Sequence, residues 1–344
     1  MTKASATKHG NDPCLQIQVD LSAMLDGELD AASIRRVMVH SDVCPSCRDF
    51  VVGIRNQVRL HRSLRSIETA TAEASAAERS AAAKLRQQLM ENRRQLARIL
   101  YELGRGFVLM GLSSNFSREV AKEPVPVPDM ALKGRSFLDE VSRWARGQGQ
   151  NDGEWVAAKD LFDQGLYSAP ENLAKGQRLL SECLALDPEH HEARIYLGLV
   201  HHVRGQRSLA RRQFAQVLAE TDDAVMRGFA LLNLANVHLE EGDCEGAIEL
   251  LQQLVDSGVV TRQSRFGMAY FNLALAFGLL GQFDQSHYWF GRLHEEMPQK
   301  RRAVAQELLR RSQFVHLLRS HPEAEAQLAE SFPAWFPLGS KEAG

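Results

Sequence analysis

His40-Ser-Asp-Val-Cys44-Pro-Ser-Cys47 decides the reading of the amino-terminal fold, and Cys14 stands upstream of it with twenty-five residues between Cys14 and His40. His40 and Cys44 are four apart, one helical turn, so one helix end can present both. Cys44 and Cys47 are three apart. Pro45 suits the first turn of a new helix, where its missing N–H would be unsatisfied in any case. Three soft or borderline ligands converging on a helix–turn–helix corner, with a fourth from upstream, make the closed tetrahedral shell of a structural zinc site. The expected ligands are Cys14, His40, Cys44 and Cys47, and the expected cofactor is Zn2+. Helices this short bury little surface. Metal binding would therefore supply much of the folding free energy, roughly 10–16 kcal/mol in structural sites.

Between the ligands lies Val19-Asp-Leu-Ser-Ala-Met-Leu-Asp-Gly-Glu-Leu29. This segment followed by H-x3-C-x2-C resembles the zinc-binding anti-sigma family, whose first helix carries L-S-x-[YFM]-L-D-G-E-L. The resemblance covers residues 14–65, under a fifth of the chain. It implies a bundle of three short helices around zinc and a further helix, which together clasp a bacterial extracytoplasmic-function sigma factor. Zinc would be held by His40, Cys44, Cys47 and the upstream Cys14.

The rest of the 344 residues calls for at least one more domain. With 44% apolar and 24% charged residues the composition is that of an ordinary globular protein. The formal net charge of -2 excludes a global polyelectrolyte role. The charge is uneven: residues 1–147 carry +5 and residues 148–344 carry -7, which favours contact between the halves or an acidic partner for the first. Of the five cysteines, three sit in metal spacing, and Cys183 and Cys244 fall inside helical patterns. That usage fits a reducing cytoplasm, not a disulfide framework. Met1 to Gly10 has no apolar core and reads as no signal peptide. Phe107-Val-Leu-Met-Gly-Leu112 is too short to span a bilayer. Neither membrane nor direct nucleic-acid binding is expected, the basic residues not being interleaved with aromatics.

The expected fold class is all-α, in five parts: a zinc-binding domain over 1–65, a helical linker over 66–120, a Pro/Gly-rich linker over 121–153, a repeat domain over 154–320 and a tail over 321–344. After a disordered lead-in over 1–13, helices are expected over Leu15–Leu25, Ala31–His40 and Cys47–Leu64. The last carries Arg55, Arg59, Arg62 and Arg65 along one face, either solvated or partner-binding. Residues 66–83 favour helix but have few apolar anchors. From Lys84 to Leu103, Leu85, Leu89, Leu96, Ile99, Leu100 and Leu103 recur at helical spacing, so their face must be covered. By the family resemblance this is the helix that grips the sigma factor, through Leu89, Leu96 and Leu100; packing onto the same chain is the other reading. Residues 104–123 are Gly- and Ser-punctuated. Glu123-Pro-Val-Pro-Val-Pro-Asp129 is a stiff extended spacer. Ser136–Arg146 is a short amphipathic helix and Gly147–Gly153 a flexible run.

Residues 154–320 repeat. Leu197-Gly198 is followed by Ala210 and Phe214, Leu234-Ala235 by Ala247 and Leu251, and Leu273-Ala274 by Ser286 and Phe290. In each case 13 positions separate the leucine from the small residue and 4 separate that residue from the next large one. The three leucines are 37 and then 39 apart. These spacings resemble tetratricopeptide repeats, and Leu184-Ala-Leu-Asp187-Pro188 resembles the end of an earlier unit. Small residues let paired helices approach and large ones fill between units, so stacking is required. Arg301–Leu318 is expected to cap the array, and Ser331-Phe-Pro-Ala-Trp-Phe-Pro337 to dock on it or lie loose. The resemblance puts Ile195, Leu199, Leu232, Asn236, Leu239, Phe271, Leu275 and Leu279 on the concave face. Of these only Asn236 suits a carboxylate clamp. A largely apolar groove with Leu199, Asn236 and Leu275 instead suits an amphipathic helix, unless these side chains pack within the array.

No phosphate-binding, nucleophile-elbow, dinucleotide or zinc-protease motif is present. The pairs His190-His191 and His201-His202 point apart on a helix, which disfavours a metal. No enzyme is expected. Two functional classes remain. One is an anti-sigma factor whose repeats sense a signal or bind a protein or peptide. The other is an assembly adaptor in which zinc is only structural and the repeats do the binding.

Overall fold

The computed structural model describes residues 14, 16–17, 20, 31–49, 76–122, 124–127, 154–157 and 168–336. The contacts gather into two compact units, residues 1–196 and 197–344. The expected lead-in, the arginine stripe, the helix over Ser136–Arg146 and the run Gly147–Gly153 lie outside the described residues, as do residues 66–75 of the first linker.

In the first unit α1 (Ala31–Val43), α2 (Ala76–Leu112), α3 (Ser114–Lys122), β1 (Pro124–Val127), β2 (Glu154–Ala157) and α4 (Ala169–Leu186) follow in order, and α5 (His191–Val203) contains the division between the units. Among the described residues the secondary structure is helical, as expected, apart from one short antiparallel pair. Pro124–Val127 falls in the stretch 123–129, expected to be a stiff extended spacer. It is extended, but it pairs with β2 in the register Pro124↔Ala157, Val125↔Val156, Pro126↔Trp155 and Val127↔Glu154. Two prolines alternate with two valines, so both missing donors can fall on the outer edge of a two-stranded ribbon, where proline is tolerated.

Helix α2 starts earlier and ends later than its apolar spacing alone indicated. Ala, Leu, Arg, Gln and Glu supply strong helix formers over its first two-thirds. Its later glycines do not break it, because two of them mark where α4 comes close. The helices run antiparallel. Arg93 Nη2 donates to the Leu186 carbonyl at 3.0 Å at one end, and Gly111 faces Leu173 at the other. Midway, a Cβ on Gly176 would stand 2.6 Å from Val108 Cγ2 and 3.0 Å from the Gly104 carbonyl oxygen. No side chain fits there, and glycine is what lets the backbones approach. Leu96, Ile99, Leu100 and Leu103 are buried within this first unit.

In the second unit helical hairpins recur: the end of α5 with α6 (Arg207–Glu220), α7 (Ala224–Glu241) with α8 (Cys244–Asp256), and α10 (Met268–Leu279) with α11 (Phe283–Glu296). A short α9 (Val259–Arg262) and a 3-10 turn, Ser264–Phe266, precede α10. Each hairpin turns on a left-handed glycine: Gly205 at φ 71°, Gly242 at φ 81° and Gly281 at φ 75°. The same two backbone bonds close every turn. Gly205, Gly242 and Gly281 N–H donate to His202, Leu239 and Gly278 C=O, and the following Gln206, Asp243 and Gln282 N–H donate to His201, His238 and Phe277 C=O. This is the double closure of a helix that ends on glycine.

The small and large positions of the repeat are all buried: Ala210 and Phe214, Ala247 and Leu251, Ser286 and Phe290. A Cβ on Gly198 would stand 2.5 Å from the Phe214 ring, so that glycine makes room for it. Ser286 is buried at no cost in unmet polarity, because its hydroxyl donates to the Ala274 carbonyl at 2.8 Å. Ala269 through Gly278 of α10 are buried without a break, as befits a helix apolar on every side; α8 and α11 pack on it, and so does α13 (Ser312–Arg319).

The expected single capping helix over Arg301–Leu318 is two helices, α12 (Arg301–Leu308) and α13, separated at 309–311, and α14 (Pro322–Ser331) follows. The aromatic tail docks. Phe332, Trp335 and Phe336 are buried; the Phe336 ring lies 5.2 Å from Phe290, and Trp335 Nε1 donates to the Arg301 carbonyl at 3.1 Å. Among the described residues no helix is long and apolar enough to cross a membrane.

Candidate metal centre

The corner at Cys44 is built by backbone bonds on both sides. Cys44 N–H donates to the His40 carbonyl at 2.8 Å, continuing the ladder of α1, and the Cys44 carbonyl accepts from Arg48 N–H at 2.9 Å. Residues 45–49 are helical again. Cys44 is thus the N-cap of this second helical segment, with Pro45 in the first position where its ring is preorganised. The change of direction turns Cys47 back towards His40.

Cys14 arrives from upstream, where residues 14, 16, 17 and 20 are helical. Cys14, Ile17 and Asp20 recur at intervals of three and so share one face; Ile17 and Asp20 are buried on it. Asp20 ties this segment to α1. Its Oδ2 lies 3.6 Å from Arg36 Nε, its Oδ1 accepts from Gln16 Nε2 at 3.0 Å, and Arg36 Nη2 donates to Ser33 Oγ at 2.7 Å. Sequence reasoning missed this brace. Its signal was the same spacing of three that puts Asp20 on the Cys14 face.

All four expected ligand atoms come together. Cys14 Sγ stands 3.6 Å from Cys44 Sγ and 3.9 Å from His40 Nε2, and the four donor atoms lie within 4.8 Å of one another. A tetrahedral zinc with Zn–S of about 2.3 Å and Zn–N of about 2.0 Å sets its ligand atoms roughly 3.5–3.8 Å apart. The donors therefore fit the ion with small adjustments. His40, Cys44 and Cys47 are buried and Cys14 is partly exposed. Burial first, then the neighbouring Cys44 and Cys14, push the Cys47 thiol well above the ordinary range. Three sulfurs crowded beside an imidazole in an apolar setting are unfavourable as anions, and a divalent cation reverses that balance by holding them as thiolates. Four protein donors fill a tetrahedral shell, which suits a structural role and leaves no coordination position for a substrate.

The residues expected to meet partners are placed as follows. Leu96 and Leu100 are buried along α2, so this chain itself covers them; the Leu89 side chain lies outside the described residues. Leu199 is half-buried. Asn236 accepts from Asn272 Nδ2 at 2.6 Å, so its carboxamide is engaged between neighbouring hairpins. Leu275 is 2% exposed, inside the layer around α10.

No curated protein matches the chain. The model of the family described as "Putative zinc-finger" matches residues 14–48, the stretch that contains all four donors.

Proposed function

We propose that the chain is an anti-sigma factor: its zinc-binding module holds and inhibits an extracytoplasmic-function sigma factor, and its helical repeats, of tetratricopeptide type, receive a protein or peptide signal. The observation that carries this reading is the four-donor cluster within the matched stretch, since that zinc-finger family is characteristic of anti-sigma factors. The segment Leu21-Ser-Ala-Met-Leu-Asp-Gly-Glu-Leu29 supports it from the sequence. Zinc is structural in this proposal, and the protein is a regulator without enzymatic activity.

The burial of Leu96 and Leu100 favours a second reading of α2. With its apolar face covered by this chain, α2 serves the first unit, and a sigma factor would meet the zinc module instead. The same burial supports the adaptor reading, in which zinc only stabilises a small module. Binding distinguishes the two. The full chain should carry one zinc and co-purify with one of the extracytoplasmic-function sigma factors of the same genome, silencing transcription from its promoter. Cys44→Ser should lose both the metal and the inhibition. A zinc-loaded chain that binds none of those sigma factors leaves the adaptor reading.

A further inference from the structure

Between residues 300 and 319 the second unit carries six basic residues, Lys300, Arg301, Arg302, Arg310, Arg311 and Arg319, and one acidic residue, Glu307. Residues 148–344 as a whole carry -7, so this basic balance is local to α12 and α13. Glu307 is already shared, 2.8 Å from Arg311 and 3.5 Å from Arg310. It cannot also neutralise Arg302, which is exposed two turns away from Leu309.

Helical geometry sets Arg302, Gln306 and Leu309 on one stripe, at i, i+4 and i+7, turned away from the buried Val304 and Leu308. Leu309 keeps helical backbone angles, φ -60° and ψ -23°. It is 86% exposed, the most exposed of the large apolar side chains among the described residues. Beside it the Arg310 side chain is 77% exposed. At that exposure Leu309 buries little area within this fold. An apolar anchor rimmed by cations is instead the make-up of a contact surface, where the anchor is covered and the charged rim selects the partner.

We propose that the exposed surface formed by α12 and the turn that follows it binds an acidic amphipathic helix of a partner protein, with Leu309 entering its apolar stripe and Arg302 and Arg310 meeting its carboxylates. The leucine decides between classes of polyanion. A nucleic-acid backbone would satisfy the arginines equally well but offers an aliphatic side chain nothing to cover it, whereas a helix supplies both an apolar stripe and flanking charge. The inference concerns the second unit alone and stands whether or not the zinc module holds a sigma factor.

The test uses the full chain and a fluorescein-labelled amphipathic helical peptide with leucines on one face and glutamates flanking it, read by anisotropy. The expected result is saturable binding that weakens with salt. Leu309→Ser should weaken it about tenfold, the loss of one buried leucine contact. The double variant Arg302→Glu with Arg310→Glu should abolish it, and the same peptide with lysine for glutamate should not bind. Unchanged helicity and melting of each variant exclude misfolding. Equal binding by wild type and Leu309→Ser, or no saturable binding by wild type, overturns the proposal. Tighter binding of a DNA duplex that depends on the arginines but not on Leu309 overturns it too, and assigns the face to phosphate.

Discussion

Replacing Gly176 and Gly291 by alanine makes the same chemical change in two helix interiors, and the two variants should move stability in opposite directions. Alanine in place of glycine favours a helix by about 1 kcal/mol. At Gly291 in α11 nothing opposes that gain: the new Cβ would find only Phe332 Cζ at 4.0 Å, an ordinary contact. Gly291→Ala should stabilise the second unit by about 0.5–1 kcal/mol. At Gly176 the Cβ would meet Val108 Cγ2 at 2.6 Å, the Gly104 carbonyl oxygen at 3.0 Å and Val108 N at 3.1 Å. Two of these are backbone atoms, which no rotamer change relieves, so α2 and α4 must separate by several tenths of an ångström. Overpacking of that kind costs about 1–3 kcal/mol. After the propensity gain the net is about 1 kcal/mol of destabilisation, leaving roughly 2 kcal/mol between the two variants. Urea unfolding followed by circular dichroism resolves a difference of that size, and Gly176→Val should enlarge it, because its branched side chain adds bulk against the same backbone. If Gly176→Ala stabilises as much as Gly291→Ala, the close approach of α2 and α4 is refuted. With it would go the argument that α2 is held within its own chain.

Trp335→Ala should destabilise the second unit by about 3–5 kcal/mol, because it empties a buried site and removes the indole hydrogen bond to the Arg301 carbonyl; a change below about 0.5 kcal/mol, the range of ordinary surface substitutions, means that the tail only rests there. Burial, followed by the bond to Glu296 and the charge of that carboxylate, raises the Tyr270 phenol from 10.0 to about 12. The protonated form is thus favoured in the fold. Its contribution should be intact below pH 10, the unfolded value, and lost as the pH rises through about 12. Urea midpoints taken across that range should fall less steeply in Tyr270→Phe than in wild type, and parallel slopes would assign the alkaline loss to another group.

The metal centre was legible because its chemistry is local: His40, Cys44 and Cys47 lie within eight residues, and a helix–proline corner converts that spacing directly into geometry. The hairpins were legible for a related reason, since leucine, small residue and large residue recur at fixed offsets. The turn glycines Gly205, Gly242 and Gly281, each eight positions after the repeat leucine, carried the same information and went unread. What sequence reading left open was long-range pairing. Leu96 and Leu100 announce an apolar face, but nothing near them says that α4, some eighty residues on, lies alongside it. The glycines at 104 and 111 punctuate the sequence, and their use becomes visible only beside Leu173, Leu179 and Leu180. Pro124 and Pro126 hid a strand in the same way, since the partner Glu154–Ala157 lies beyond an intervening stretch of chain.

The three identical turns make each hairpin exchangeable as a block. Every turn is closed by its own backbone, so its shape does not depend on which neighbour follows. Removing residues 235–273, a span of 39, would join Leu234 to Ala274 and restore the offsets to the next turn glycine, the next small residue and the next large one. A deletion one residue longer or shorter would rotate everything downstream in the joined helix by about 100°, bringing polar side chains to the seam. Within the helices of a hairpin length is therefore quantised, and the difference between the 37- and 39-residue periods falls in the connections between hairpins, which are the places where this chain can change length by single residues.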